Sequence, residues 1–439
     1  MPVNGFNHKH GSSFFHTWRK LISELSVINK KEDKEKTNMK ISTDVLVVGG
    51  GVSGTMAAIA AARRGVKVSL IERGGCLGGM WTAGLVGITL DSAYKEGLLR
   101  EFLEAVHSEM NCGSATIFET QKYILEKMCI DSGVEVYLYS QPCDLKKEGK
   151  EIKEVSVISK SGRFDFITKI VIDCTGDGDV AAMAGCKFDY GRASDGKAQP
   201  MSMIALIGGL DHKAEPYISY PNQPFWEARN RFKEVLDSVG ASYSIGCPSV
   251  QPLCSDVYIL SANQEYGKSG CNVTELTEAT INARKEIYEM VRALKEKAAD
   301  KFSNIVLIGT PECIGVRESR RIHGRYTVTL EDMIAGREHK DAVCKVRYWV
   351  DIHSLEDDGG KGFTNEGIKT QPYDIPFRAL LPVDADNLVL AGRCISGDFY
   401  AHASYRVIGN MAPVGEAAGQ MSAKSILENK PVYELKYEK

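Results

Sequence analysis

The chain has 439 residues, of which 43% are hydrophobic and 25% charged, with a formal net charge of -3. That length affords two or three domains around a sizeable core, and the composition excludes extensive disorder. The near-neutral balance excludes the electrostatic footprint of a nucleic-acid or anionic-membrane binder.

Twelve cysteines run from Cys76 to Cys394 without a C-x-x-C pair. That removes a local dithiol site and a closely spaced zinc or iron–sulfur ligand set, and no metal ligand is expected. Scattered thiols in a chain this long point to a reduced, cytoplasmic protein.

Residues 1–40 read as an extension. Phe14 to Ile28 has the pattern of a short amphipathic helix, but Arg19, Lys20 and Glu24 interrupt it. It is therefore neither a spanning segment nor a secretory h-region. Lys30 to Lys36 is a mixed charge run, and a disordered extension is favoured over a docking arm. No other stretch is long and apolar enough to cross a bilayer.

Asp44 to Val48 is a compact β-branched run, the mark of a buried parallel strand. Gly49-Gly50-Gly51-Val52-Ser53-Gly54 follows, then an alanine-rich helix from Met56 to Arg64. Gly65 closes that helix, and the strand Val66 to Ile71 ends at Glu72. Gly49 permits the turn, Gly51 admits a pyrophosphate, and Gly54 lets the helix pack on the sheet. The helix N-terminus offers free N–H groups to the phosphates, and Glu72 is placed for ribose hydroxyls. A glycine fingerprint in this strand–helix–acid context predicts a dinucleotide fold.

Three segments then favour FAD over NAD. Arg73 to Gly84 is a glycine-dense loop, with Gly79 and Thr82 placed along an extended ligand. Lys169 to Cys174 is a buried strand running into Thr175-Gly176-Asp177-Gly178-Asp179 and a short helix. Near the C-terminus, Asn387 to Arg393 forms a strand, and Cys394 to Asn410 leads to a small-residue helix, Met411 to Lys424. That helix N-terminus suits the flavin edge where negative charge develops.

Other expected elements are a helix Glu119 to Ser132, a strand Val134 to Tyr139, and a small β-meander of Glu154–Ile158 and Arg163–Ile167 joined by Ser161-Gly162. Strands at Ser202–Ile207 and Asn304–Ile308 and a long polar helix, Glu275–Ala299, lie in an insertion. The predicted fold class is α/β: a discontinuous Rossmann-type FAD-binding domain (41–192 and 374–430), an inserted α+β substrate or cap domain (193–373), and a tail (431–439).

The glycine fingerprint with Glu72, the loop Leu77 to Gly84, Asp173 to Asp179, Ile314 to Arg321, Ile375 to Pro382 and Asn387 to Gly419 together carry a resemblance. They resemble the FAD-dependent oxidoreductases related to fumarate reductase and succinate dehydrogenase flavoproteins, in the branch with heterodisulfide reductase flavin subunits. The resemblance spans about Asp44 to Gly419 and implies FAD split between an N-terminal half and a C-terminal segment. The chain lacks the cysteine-rich cluster motif of those subunits, so an iron–sulfur cluster rests on the family label alone. It also lacks a second strand-linked G-x-G-x-x-G, which speaks against an NADPH domain.

The expected cofactor contacts are Gly49, Gly51, Gly54, Glu72, Arg73, Gly79, Thr82, Gly176, Asp177, Gly392, Arg393 and Asn410. Two clusters offer chemistry. The first holds Arg317, Glu318, Ser319, Arg320, Arg321, His323 and Arg325. Relatives of the fumarate reductase type use arginine to hold carboxylates and move protons, which suits a guanidinium fork. A structural Arg–Glu network is the competing reading, favoured for Arg321 and Arg325. The second holds Arg378, Arg393, Asp398, Tyr400, His402, Ser404, Tyr405 and Arg406. His402 is a candidate acid or base in a loop, against a structural hydrogen-bonding role. The candidate catalytic residues are Arg317, Arg320, Arg378 and His402. Cys76 lacks a partner thiol and reads as packing; Trp81 and Met80 read equally as flavin neighbours or core.

Three functions compete. The first is flavin-mediated hydride transfer to or from a small polar organic substrate, such as a carboxylate or sugar-like compound. The second is an electron-transfer subunit serving an iron–sulfur partner protein. The third is a redox-silent FAD-binding sensor. The insertion is large enough to cap a flavin ring and favours the first; the oligomeric state is not fixed.

Overall fold

The computed structural model describes residues 39–110, 115–221, 224–356 and 362–438. The amphipathic segment expected at Phe14 to Ile28 lies outside them.

The glycine fingerprint sits where the sequence places it. Strand β1 (Met39–Val48) leads through it into helix α1 (Val52–Ala62) and strand β2 (Val68–Ile71). Helix α2 (Ile117–Asp131) returns the chain to β3 (Glu135–Tyr137). Then come β4 (Gln141–Glu148), β5 (Glu151–Ser159) and β6 (Gly162–Asp173). Among the described residues the main sheet has seven strands, in the order β3-β2-β1-β6-β5-β4, with the late strand β11 (Leu388–Leu390) paired to β6; strands β7 to β10 lie between β6 and β11 in the chain. The pairs β1–β2, β2–β3 and β6–β11 are parallel; β4–β5 and β5–β6 are antiparallel. Every residue of β2 and β11 is buried, as both-face burial of a parallel strand requires.

Two details correct the sequence reading. The last arm of the meander and the buried strand expected at Lys169–Cys174 are one strand, β6. Its first half pairs with β5 and its last residues with β11. Thr168-Lys169 separates the two apolar halves in sequence, but neither residue breaks a strand. The meander also has a further arm, β4, whose residues are all exposed or half-buried. An edge strand without a buried face has no alternation to read, and Pro142 sits on it as edge strands allow.

The insertion holds β7 (Ile204–Gly208), helix α3 (Phe225–Val239), β8 (Ser249–Cys254), β9 (Val257–Ser261), helix α4 (Val273–Lys297) and β10 (Val306–Gly309). Its antiparallel sheet runs β10-β7-β9-β8. Phe232 and Leu236 of α3 and Ile287, Met290 and Leu294 of α4 close one core with Ala205, Ile207 and Leu260 of the sheet. The β8–β9 hairpin escaped the sequence reading because Ser255 takes the positive φ of its turn without a glycine to announce it.

The expected C-terminal loop is largely helical. Helix α5 (Phe399–Tyr405) begins at Asp398, whose carboxylate accepts the Ala401 N–H at 2.7 Å. Helix α6 (Ile408–Glu428) starts three residues before Met411 and carries Pro413. Gly409 is the reason: its N–H donates to Leu90 O at 3.1 Å, and a side chain there would strike the Leu90 and Asp91 backbone. Local propensity does not predict a helix through Gly-Asn-Met-Ala-Pro; the tertiary contact does.

Candidate active site

The turn after β1 is built on backbone contact. Gly49 holds φ at 100°, and its N–H donates to Ile71 O at 2.9 Å. The first turn of α1 is buried at Val52, Ser53 and Gly54, has no side-chain cap and no acid. A buried, uncapped helix N-terminus leaves N–H groups that an anion satisfies. The space beside Gly51 is open: a Cβ there would meet only Gly79 Cα, at 4.0 Å. These features fit a pyrophosphate.

Glu72 ties the two glycine loops together. Its Oε2 accepts Gly50 N–H at 2.6 Å and its Oε1 accepts Gly74 N–H at 2.7 Å. Gly78 N–H donates to Gly50 O at 2.8 Å, so the Leu77–Gly84 loop lies along the fingerprint. The Thr82 hydroxyl is buried and donates to Leu77 O at 2.5 Å. Trp81 belongs to the core: it is fully buried and stacks on Phe102 with centroids 4.6 Å apart. Arg73 is exposed at the start of the loop.

The second turn is organised by a buried carboxylate. Asp173 Oδ1 accepts the Thr175 N–H (3.1 Å) and hydroxyl (2.7 Å), and Oδ2 accepts Ala181 N–H (2.9 Å). Burial pushes its carboxyl up to about 6, against the pull of these donors. The loop they hold presents Asp177, which pairs with Arg393 at 2.8 Å. Arg393 also donates to Ser319 Oγ at 3.3 Å and backs onto Gly176, where φ is 81° and a side chain would meet Arg393 Nη2 at 2.8 Å. Arg320 joins this group, donating to Asp177 O and Asp179 Oδ1, both at 2.9 Å. Arg320 therefore holds the Asp177–Asp179 loop, with its charge already matched by Asp179. Arg321 pairs with buried Glu318 and donates to Gly191 O at 2.8 Å. Arg325 pairs with Asp386. Arg378 is half exposed, paired with Asp341 at 3.0 Å and set over the Tyr326 ring; it is not brought to the other candidates.

His402 is placed differently from the loop residue the sequence suggested. It lies on α5, fully buried, and neither ring nitrogen has a side-chain partner among the described residues; the Arg393 backbone is the polar group beside it. Burial, then the neighbouring Arg321, Arg406 and Arg393, push its pKa well below the usual histidine range, so the ring is neutral. Asn410, in the first turn of α6, accepts the Cys344 thiol at 3.5 Å, but its Nδ2 has no partner among the described residues. Gly392 takes φ 104° against Ser53 Oγ. Orphaned buried donors and an open phosphate cradle thus lie on the two segments that the sequence assigns to one cofactor.

Sequence reasoning missed a neighbouring polar group. Asp351 Oδ2 lies 3.8 Å from Arg406 Nη2 and 3.6 Å from His353 Nε2. His353 Nδ1 faces Gln264 Nε2 at 2.7 Å, which places the ring proton on Nε2. The available signal was the alternation Trp349-Val350-Asp351-Ile352-His353, in which Val350 and Ile352 are buried. Burial, then Arg317, hold His353 down to about 4 despite Asp351. Burial would raise Asp351, but His353, Arg406 and Arg317 outweigh it and hold it at about 2.

A histidine depressed from 6.5 to about 4 contributes stability that is complete above pH 6.5 and lost as pH falls towards 4. His402 acts in the same sense; Asp173, raised to about 6, acts oppositely between about 6 and 3.8. Urea unfolding of wild type and His353→Gln across this window isolates the His353 share. We expect the variant to lose ~2–3 kcal/mol less on acidification from pH 6.5 to 4. Parallel curves would refute the assignment.

Solved structures similar to this chain include a geranylgeranyl bacteriochlorophyll reductase-like protein from Thermoplasma acidophilum (14% identity, 89% of this chain, 80% of that chain, TM-score 0.42). Others are an anhydrotetracycline hydroxylase from Streptomyces rimosus (14%, 88% and 63%, 0.43) and a p-nitrophenol 4-monooxygenase from Pseudomonas putida (11%, 89% and 82%, 0.44). No curated protein matches the sequence. No helix among the described residues is long and apolar enough to cross a membrane. The family model for FAD-dependent oxidoreductases matches residues 44–439, and the chain belongs to that family.

Proposed function

We propose that this flavoenzyme acts directly on a small polar organic substrate, in the manner of the fumarate-reductase-like branch its motifs resemble. The observation that carries the reading is His402: a fully buried, neutral imidazole that has no side-chain partner among the described residues and lies against the Arg393 backbone, one helix turn before Arg406. A buried ring of that kind is costly unless something meets it, and it is equipped to accept or return one proton.

In this reading Gly49, Gly51 and Gly54 take the pyrophosphate at the α1 N-terminus, with Gly79 and Thr82 lining the opposite wall. Glu72 is placed for the ribose and Arg73 flanks it. Gly176, Asp177, Gly392 and Arg393 form the far side, and Asn410 offers its free Nδ2 beside the N-terminus of α6. Bound FAD supplies two-electron oxidation or reduction. Arg317 provides a guanidinium fork for the substrate, Arg320 positions the Asp177–Asp179 loop, and Arg378 has no role in the reaction.

The test is the visible spectrum of the purified protein, before and after anaerobic addition of carboxylates, polyols and amines. We expect oxidised-flavin bands that one class bleaches. Bands that only a protein donor bleaches would replace this reading with an electron-transfer subunit. A protein that neither carries nor takes up FAD would overturn it.

A further inference from the structure

The polar group beyond Arg406 has more positive charge than its acids match. Arg317 is surrounded by protein yet keeps part of its surface accessible, and its single hydrogen bond among the described residues goes to Pro200 O at 2.7 Å. The acid whose charge acts on it is Asp351, already shared by Arg406 and His353. Glu318 is committed to Arg321. With His353 neutral, two guanidiniums face one carboxylate, which leaves one positive charge in excess. A buried charge of this kind calls for a counter-ion.

Unused donors surround it. Gln199 is buried; its Oε1 accepts from Arg406 Nη2 and His353 N–H, while its Nε2 has no partner among the described residues. Arg406 Nε is also unpartnered among the described residues. The free donors of Arg317, Gln199 and Arg406 outnumber what one hydroxyl can accept, and match the two oxygens of a carboxylate.

A wall of rings continues from this group. His353 packs on Phe363 with centroids 6.3 Å apart. Phe363 stacks on Trp226 (5.9 Å, 19°) and meets Trp349 edge-on (5.8 Å, 61°). The two indoles remain 41% and 37% exposed, so ring area stays available beside a charged anchor. A small dicarboxylate has no use for such a surface; a flat apolar body does.

We propose that this is the substrate subsite, and that it takes a monocarboxylate with an aromatic or other planar body: the carboxylate on Arg317, Gln199 and Arg406, the body along Trp349, Phe363 and Trp226. The assignment rests on the reading of the chain as a flavoenzyme acting on a small molecule. It departs from the purely polar substrate that the sequence motifs suggest.

The probes are cinnamate, succinate and cinnamyl alcohol, titrated into the holoenzyme by calorimetry and by perturbation of the flavin spectrum. Cinnamate is expected to bind at least ~10-fold more tightly than either of the others. Arg317→Gln should weaken cinnamate ~30-fold or more, with Arg317→Lys intermediate because it keeps the charge and loses the fork. Trp349→Ala should weaken cinnamate and leave succinate unchanged. Equal cinnamate binding by wild type and both Arg317 variants overturns the anchor; succinate binding as tightly as cinnamate overturns the planar body. Because calorimetry reads the carboxylate site with or without FAD, a flavin-loaded protein that ignores cinnamate defeats this inference alone. A protein without FAD defeats the functional reading instead.

Discussion

Gly54→Ala is expected to yield a protein that purifies without flavin and takes up added FAD at least ~100-fold more weakly, a loss of ~3 kcal/mol or more. The added methyl would fall on the Gly49 carbonyl oxygen, far inside contact distance, and 3.0 Å from the carbon that bears it. On its other side Cys174 Cβ stands at 3.1 Å. The methyl has no rotamer, so relief requires α1 to lift from the sheet or the Gly49 turn to open. Either movement displaces the N–H groups of Val52, Ser53 and Gly54 from the anion cradle. Gly149→Ala is the control: its φ is 61°, but nothing lies within 4 Å of the new methyl. That variant should lose ~1 kcal/mol of stability and keep its FAD. Flavin absorbance per protein, read for both, checks the claim. Normal FAD content in Gly54→Ala would mean that the cofactor is not held at this turn.

Gly419→Ala is expected to destabilise the protein by ~3 kcal/mol or more, although it lies inside a helix where alanine is ordinarily better than glycine by ~1 kcal/mol. The sign reverses because α6 crosses α1 at backbone contact. A methyl on Gly419 would overlap the Ala57 carbonyl oxygen and come within 2.8 Å of its carbon and 2.9 Å of Ala57 Cα. One turn earlier, Gly415 makes the same approach to Ser53, with Cα and carbonyl carbon both 2.7 Å from the new atom. The Ser53 hydroxyl donates to Met411 O at 3.0 Å and fixes the register. This contact joins the first helix of the fold to the last, and with them the proposed cofactor contacts at Gly51 and Asn410. Chemical denaturation of Gly419→Ala measures the loss directly; a variant as stable as wild type would show that the helices stand further apart. Gly415→Ala tests the same contact nearer the flavin and should also lower FAD content.

The local dinucleotide unit was legible in the chain because each of its parts is a local decision. A β-branched run, glycines at fixed offsets, an alanine-rich helix and a terminal acid all act within about thirty residues, so spacing alone reveals them. The FAD family followed for the same reason, from motifs that are short and contiguous. What the sequence could not decide is what distant segments do to each other. The unity of β6 depends on pairing with β5 at one end and β11 at the other, and the exposed edge strand β4 has no buried face to report. The helical start at Ile408-Gly409-Asn410 depends on Leu90, more than three hundred residues away. Charge obeys the same rule. Arg317, Arg320 and Arg378 look equivalent in sequence, yet Asp179 matches Arg320, Asp341 matches Arg378, and Arg317's one hydrogen bond among the described residues is to a carbonyl. Which arginine stays available for a ligand is set by which acids the fold brings near, and that is a property of tertiary packing alone.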